Sequence, residues 1–235
     1  METYTALRRL ASDYGLLVRG GVHPVDPEDA GTRLSNGGSP GTIVLLGNAG
    51  PDMWRVFARS SEAASAASHA MDIWTRRVID GVAETLGAEA VYPFGGPPYL
   101  PFMRWAQRAE PVVPSPIGML IHPDYGLWHA YRGALLFAER LALPPPDDRP
   151  APCETCETRP CLTTCPVDAF TDNGYDVPAC RAHISRPAGR DCIDLGCRAR
   201  RACPAGTGYH YEPEQAEWHM RAFAGIQRGS TTEDE

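Results

Sequence analysis

The sequence predicts an α+β sheet domain followed by a small domain organised around metal, and three observations predict it. All eight cysteines of the 235-residue chain fall between Cys153 and Cys203. Five prolines in nine positions, Pro144 to Pro152, separate them from a cysteine-free N-terminal part. In that part, apolar segments of helical and of strand spacing alternate irregularly, as layered α+β packing requires. The expected organisation is therefore an α+β domain over residues 1–143, a stiff proline-rich linker over 144–152, a cysteine domain over 153–228 and a disordered tail over 229–235.

The elements of the first domain follow from local pattern. Residues 3–14 predict a helix leading into a strand at Gly15–Arg19, with a second strand at Thr42–Gly47. Gly47–Asp52 is too loose for a dinucleotide fingerprint and reads as a turn into a helix. Met71, Trp74, Val78, Val82 and Leu86 recur at helical spacing and stop at Gly87, a C-terminal cap. Ala90–Gly95 predicts another strand, and residues 101–108 a short helix. Gly126–Pro144 fits either class: Leu127, Ala130, Tyr131, Ala134 and Leu135 match a helix, while the aromatic content and the leading glycine match a strand.

Composition narrows the function. Hydrophobic content of 43% and charged content of 22% are those of a globular chain, and no apolar run is long enough to cross a bilayer. The segment METYTALRRLASDYG lacks the apolar core of a secretory signal, which places the protein in the cytoplasm, where thiols stay reduced and serve as metal ligands more readily than as disulfides. A net charge of -7 argues against a nucleic-acid partner. All 22 basic residues are arginine, so a Walker-type phosphate loop and lysine Schiff-base chemistry are excluded.

The cysteines run Cys153-x2-Cys156-x4-Cys161-x3-Cys165-Pro166, then Cys180, then Cys192-x4-Cys197-x5-Cys203-Pro204. Two groups, each closed by a Cys-Pro pair, are the layout of a bacterial ferredoxin-like domain with two [4Fe-4S] clusters, in which the thiolate before proline turns to the other cluster. By that logic Cys153, Cys156, Cys161 and Cys203 hold one cluster, and Cys165, Cys180, Cys192 and Cys197 the other. Zinc prefers paired C-x2-C knuckles, and only one C-x2-C exists here. A single cluster with spare thiols, a zinc site and disulfides remain the competing readings. The gap from Cys156 to Cys161 is wider than the usual ferredoxin spacing, with Arg159-Pro160 as the insertion.

Asn173-Gly174 marks a hairpin between the two groups, and Tyr209–Phe223 predicts a proline-started helix docking on the cysteine domain with Trp218 and Phe223 in its core. Arg198, Arg200 and Arg201 read either as a docking patch for an acidic redox partner or as a solvated loop.

The arrangement from Cys161 to Cys203, with the lone Cys180 in DVPACRAHI between two Cys-Pro pairs, resembles the iron–sulfur module of epoxyqueuosine reductases. That family, related to reductive dehalogenases, carries a cobalamin-binding domain N-terminal to two [4Fe-4S] clusters. The stretch IGMLIHPDYGLWHAYRGALLF, Ile117–Phe137, resembles CblC-type cobalamin-processing proteins through His122, Pro123, Tyr125, Gly126, Trp128, Arg132 and Gly133. The resemblance implies a nitroreductase-like N-terminal sheet that includes Gly126–Pro144 as a strand. It also implies a cobalamin or small-molecule acceptor near His122, Tyr125, Gly126, Trp128, Arg132 and Gly133, and a redox donor protein as partner. The competing view makes Trp128, Tyr131 and Phe137 core residues, with Gly126 and Gly133 as tight backbone positions.

One departure bears on the reaction. Where the resemblance places a catalytic acid, this chain reads Phe94-Gly-Gly-Pro-Pro-Tyr99, without a carboxylate, so the catalytic residues stay unassigned and epoxide reduction on tRNA is disfavoured. The Asp-x-His-x-x-Gly pattern that supplies histidine below cobalt is also absent. The expected function is passage of electrons through two clusters to a corrinoid or small-molecule acceptor. The alternatives are a ferredoxin-type carrier without its own substrate and a structural zinc protein.

Overall fold

A continuous apolar segment, TIVLLGNA, is buried at every position in the middle of the main sheet. The computed structural model describes residues 2–25, 29, 31–65, 67, 69–145 and 147–226; the expected disordered tail at 229–235 lies outside them. In chain order the elements are α1 (Glu2–Ser12), β1 (Leu17–Val22), β2 (Thr42–Ala49), α2 (Asp52–Phe57), α3 (Ser61–Ala64), α4 (Ala70–Leu86), β3 (Glu89–Val91), α5 (Phe102–Ala109), β4 (Val113–Pro114), β5 (Leu120–Ile121) and β6 (His129–Phe137). The second half adds α6 (Pro160–Thr163), β7 (Phe170–Thr171), β8 (Gly174–Tyr175), α7 (Val177–Ile184), α8 (Arg190–Leu195), α9 (Arg198–Arg201) and α10 (Pro213–Ala224). No described helix is long and apolar enough to cross a membrane.

The chain divides into two compact units, and the division is discontinuous. One unit comprises residues 1–112 and 129–149; the other comprises 113–128 and the chain from Pro150 onward. The proline run thus ends one unit at Arg149, close to the expected linker. Residues 113–128, expected in the N-terminal domain, belong instead to the cysteine-rich unit. The physical reason is core size: Ile117, Ile121 and Leu127 pack with Cys161, Ala199 and Cys203 and supply apolar bulk that the cysteine segment lacks.

In the first unit the main sheet has the order β1-β2-β6-β3, and every pairing is antiparallel. The ambiguous segment is a strand from His129: β6 pairs with β2 from Thr42↔Phe137 to Ala49↔His129 and with β3 on its other side. Gly133–Phe137 are all buried, as the centre of a covered sheet demands. A bulge lies between Leu46 and Gly47. A Cβ on Gly47 would sit 2.2 Å from the Ala130 carbonyl oxygen, so only glycine permits this approach. The chain turns into α2 at Gly50 and Pro51, within the expected turn, and β2 runs two residues past its expected end at Gly47.

Two strand boundaries differ from the sequence reading. β1 begins at Leu17 because Gly15 adopts φ 65 and closes α1, with its amide bonded to the Ser12 carbonyl at 3.0 Å. β3 ends at Val91, because Pro93 has no amide hydrogen to extend the ladder. Of the predicted stripe of α4, Met71, Trp74, Val78 and Val82 are buried and Leu86 is half-buried, and Gly87 caps the helix in the left-handed conformation at φ 63.

Asp29 anchors the end of α5 to the chain after β1. It accepts from Trp105 Nε1 at 2.7 Å, Arg108 Nη1 at 2.8 Å and the Val25 amide at 2.8 Å. Burial pushes this carboxyl up, but the bonds from Arg108, Val25 and Trp105 outweigh it and hold the group below its ordinary value. A depressed folded pKa contributes stability that is complete above the unfolded value, about 3.9, and is lost as pH falls through the folded value. Urea unfolding between pH 7 and pH 3 is therefore expected to show a steeper acid loss for the wild type than for Asp29→Asn; equal slopes would exclude this contribution.

Candidate metal centre

Four of the eight thiols line one concavity, and the other four lie on or beside α6, α7, α8 and α9. Of the first four, Cys153 lies in the short turn Pro152–Glu154, Cys156 in the loop that follows, Cys161 on α6 and Cys203 just beyond α9. All four line one concavity, with Ile121 and Arg159 among its other walls. Burial pushes the Cys153 thiol up, the nearby Cys203, Cys161 and Cys156 add to the effect, and Arg159 opposes it. Burial first, and neighbouring thiols after it, also raise Cys161 and Cys203, and a cation shared at the concavity would neutralise them.

The second group comes from four elements. Cys165 follows α6, Cys180 lies on α7, Cys192 on α8, and Cys197 is the residue before α9. Burial raises the Cys197 thiol first; the amides of Arg200 and Ala199 lower it by donating to the sulfur, while Cys192 and Cys180 raise it. Cys165 Sγ accepts from the Ala169 amide at 3.4 Å. Tyr175, whose phenol is raised by burial and then by a hydrogen bond shared with Cys180, also feels Cys197 and Cys165. Its ring stacks on Phe170 at 4.8 Å.

Local sequence explains these placements. Pro160 opens α6, and Asp176 caps α7 by accepting from the Ala179 amide at 2.9 Å. The expected hairpin forms as β7 and β8 around Asp172 and Asn173, with Gly174 at φ 107 inside the pairing rather than in the turn. On α10 the buried residues are Gln215 and Ala216, whereas Trp218 is only half-buried. Phe223 packs with Met220 on Ile184, Cys192 and Ile193. All eight cysteines are free thiols. Among the described residues, no group of three or more His, Cys, Asp or Glu side chains is placed to hold a single metal ion.

The three arginines between the last cysteines are internal ties rather than a loose patch. Arg198 Nε reaches Asp191 at 2.7 Å, and Arg201 binds the same carboxylate and the Gly196 carbonyl. Arg200 donates to the Leu127 carbonyl from Nη2 at 2.7 Å and from Nε at 3.1 Å. Its guanidinium lies between the rings of Trp128, at 4.3 Å, and Tyr211, at 4.4 Å.

Of the residues expected around an acceptor, His122, Tyr125, Gly126 and Trp128 lie in the cysteine-rich unit, whereas Arg132 and Gly133 lie on β6 of the other. His122 is buried, and its Nδ1 accepts from the amides of Asp124, at 3.0 Å, and Tyr125, at 3.3 Å. The ring stacks on Tyr125 at 4.2 Å, and Tyr125 meets Tyr209 edge-on at 5.0 Å. Gly126 has φ 55, and a Cβ there would lie 2.0 Å from the Ala205 carbonyl oxygen, next to Cys203-Pro204. Trp128 is buried beside His210 at 4.4 Å. On β6, Arg132 Nε donates to Asn48 Oδ1 at 3.1 Å, and Gly133 gives room to Ile79 and Val91.

The first unit also buries a polar cluster that sequence patterning did not single out. Arg19 is fully buried; its Nη2 lies 2.7 Å from Glu110 Oε2, and its Nε donates to Glu110 Oε1 at 2.8 Å. Tyr131 donates its hydroxyl to Glu110 Oε2 at 2.8 Å, and His129 Nδ1 lies 3.2 Å from Arg19 Nη2. The signal available in the sequence was an arginine interrupting the apolar run at Leu16–Val22.

No family model matches the sequence, and no curated protein does. Solved structures do. An epoxyqueuosine reductase from Bacillus subtilis, with its catalytic loop swung out of the active site, matches at a TM-score of 0.56 and 14% identity, covering 97% of this chain and 77% of that one. An epoxyqueuosine reductase bound to an epoxyqueuosine-modified tRNA stem loop matches at 0.55 and 16%, covering 92% and 68%. A B12-trafficking CblC protein from C. elegans matches at 0.47 and 15%, covering 98% and 99%. This chain shares the mixed α+β fold of the epoxyqueuosine reductases.

Proposed function

We propose that the protein is an iron–sulfur oxidoreductase in which Cys153, Cys156, Cys161 and Cys203 hold one [4Fe-4S] cluster and Cys165, Cys180, Cys192 and Cys197 hold a second, as in a two-cluster ferredoxin module. The observation that supports this reading is that the free thiols of Cys153, Cys156, Cys161 and Cys203 line a single concavity. A cubane spreads its four thiolates over separate iron corners, whereas zinc draws its ligands onto one point. When bound, the clusters would supply one-electron transfer at low potential. The chain's own part is to supply the thiolates, to donate amides to Cys197 and Cys165, and to tie residues 197–203 to Leu127 through Arg200.

The acceptor we propose is a corrinoid or another small molecule, and we read the sheet of the first unit as nitroreductase-like. His122, Tyr125, Gly126, Trp128, Arg132 and Gly133 are the residues we propose for the acceptor. The buried indole N–H of Trp128, which finds no acceptor among the described residues, supports a polar ligand there. The engagement of His122 Nδ1 by two amides agrees with a corrin held without histidine below cobalt. The loop 94–99 contributes no carboxylate, which directs the reading away from epoxide reduction on tRNA and favours, as a second reading, an electron carrier fed by a donor protein.

One anaerobic preparation tests all of this. Iron and sulfide are expected at about eight each per chain, with zinc absent. Titration with cobalamin is then expected to change the corrin spectrum. A colourless protein carrying zinc overturns the cluster reading; iron and sulfide without any corrin response leaves the carrier as the function.

A further inference from the structure

We propose that three stacked rings, Phe170, Tyr175 and Phe223, form a lid that keeps water and dioxygen from the second cluster, with Tyr175 as the ring that closes it. This rests on the cluster reading above. The four cysteines assigned to that cluster are divided between two small cores. Cys165 and Cys197 pack with Phe170 against the core that contains Ile121, Leu127 and Ala199. Cys180 and Cys192 belong to the core of Ile184 and Ile193, on which Phe223 also packs. Each core thus carries two of the four thiols and one outer ring of the stack. Tyr175 lies between those rings: its centroid is 4.8 Å from that of Phe170, at 17°, and 6.3 Å from that of Phe223, at 20°. The stack therefore joins the same two cores that the second cluster would join through its thiolates.

The hairpin that presents Tyr175 is anchored beside these thiols at both ends. Ala169, the residue before Phe170, donates its amide to Cys165 Sγ at 3.4 Å. Asp176, the residue after Tyr175, donates its amide to the Ala169 carbonyl at 2.7 Å, and its carbonyl accepts from the Cys180 amide at 3.1 Å. With two residues per strand, β7 and β8 are too short to hold themselves, and the stack gives them a partner. Phe223 is fixed in turn by Arg181, whose Nη2 donates to its carbonyl at 2.9 Å and whose guanidinium lies 5.3 Å over its ring. Cys165, Cys180 and Cys197 are only half-buried, so the apolar shell around them decides how much solvent reaches a bound cluster. Tyr175, 40% exposed, is where that shell meets water.

Substitution separates the ring from its hydroxyl. Tyr175→Ala opens the middle of the stack, whereas Tyr175→Phe keeps the ring and deletes the hydroxyl that shares a hydrogen bond with Cys180. Anaerobic protein is exposed to air for timed intervals, reduced with dithionite and read by EPR, the second cluster being the signal missing from Cys197→Ala. In Tyr175→Ala that signal is expected to disappear about tenfold faster than in the wild type. The first signal keeps its rate, and Tyr175→Phe stays close to the wild type. In heavy water, before air is admitted, deuterium couplings on the second signal are expected to grow in Tyr175→Ala alone. An unchanged rate or unchanged couplings in Tyr175→Ala overturn the proposal. So does an equal change in Tyr175→Phe, which assigns the effect to the hydroxyl. Faster loss of both signals together, or absence of the second signal before air is admitted, also overturns it, because Tyr175 is then a general support of the unit. A wild type without iron and sulfide overturns the reading beneath it, and this proposal with it; the other outcomes bear on the stack alone.

Discussion

Cys203→Ala is expected to halve the iron of the anaerobic protein, from about eight to about four per chain, and to loosen the cysteine-rich unit around the vacated position. Cys203 lies far along the chain from Cys153, Cys156 and Cys161, yet lines the same concavity. Its thiol is buried with Ile117, Ile121, Leu127, Cys161 and Ala199, so the sulfur is at once a proposed ligand and part of a small apolar core. Replacing it removes one of four anchors and leaves three thiols without their shared cluster. Because metal binding and folding are one equilibrium in so small a module, protease resistance between residues 150 and 226 is expected to fall together with the iron. Cys153→Ala should leave the same residual spectrum as Cys203→Ala, whereas Cys197→Ala should leave the complementary one. A Cys203→Ala protein with full iron, or one whose residual spectrum matches that of Cys197→Ala, contradicts the partition.

The proposed partition rests on the cysteine spacing, in which a Cys-Pro pair closes each of the two groups. The stripe of α4 and its Gly87 cap were legible because helical periodicity is a local property of the chain. The membership of residues 113–128 was not. Ile117, Ile121 and Leu127 carry no mark that tells them to leave the sheet unit and serve the thiols, since their partners Ala199 and Cys203 are remote in sequence. The same holds for Arg200, whose two bonds to the Leu127 carbonyl exist only once that segment has been borrowed. The arginine cluster therefore read as a docking patch or a solvated loop, and its bonds to Asp191, Gly196 and Leu127 were not legible. Strand β6 stood between these extremes: its residues fit two periods, and only pairing with β2 and β3 decides between them.

Glu110→Ala is expected to destabilise the first unit by about 3–5 kcal/mol, the range for removing one partner of a buried ion pair. The backbone explains why this carboxylate sits where it does. Gly20 adopts φ 75, and a Cβ on it would lie 2.5 Å from the Ala109 carbonyl oxygen, so the end of α5 presses directly on the irregular part of β1. Glu110 is the next residue, and it forks onto Arg19, whose side chain has no exposed surface; Glu110's own side chain is only 12% exposed. Solvent therefore cannot replace the lost charge, and the truncation strands a guanidinium stacked over Tyr131 at 4.8 Å and takes the acceptor from the Tyr131 hydroxyl. The Asn48 carbonyl, 3.3 Å from Arg19 Nη1, accepts a hydrogen bond but brings no negative charge. Replacing both partners, as in Arg19→Met with Glu110→Met, removes the stranded charge and should recover most of the loss. Urea midpoints at equal m-values, followed by tryptophan fluorescence, measure both effects. If the double variant is no more stable than Glu110→Ala, packing of the arginine stem, rather than its charge, is what holds α5 to the sheet.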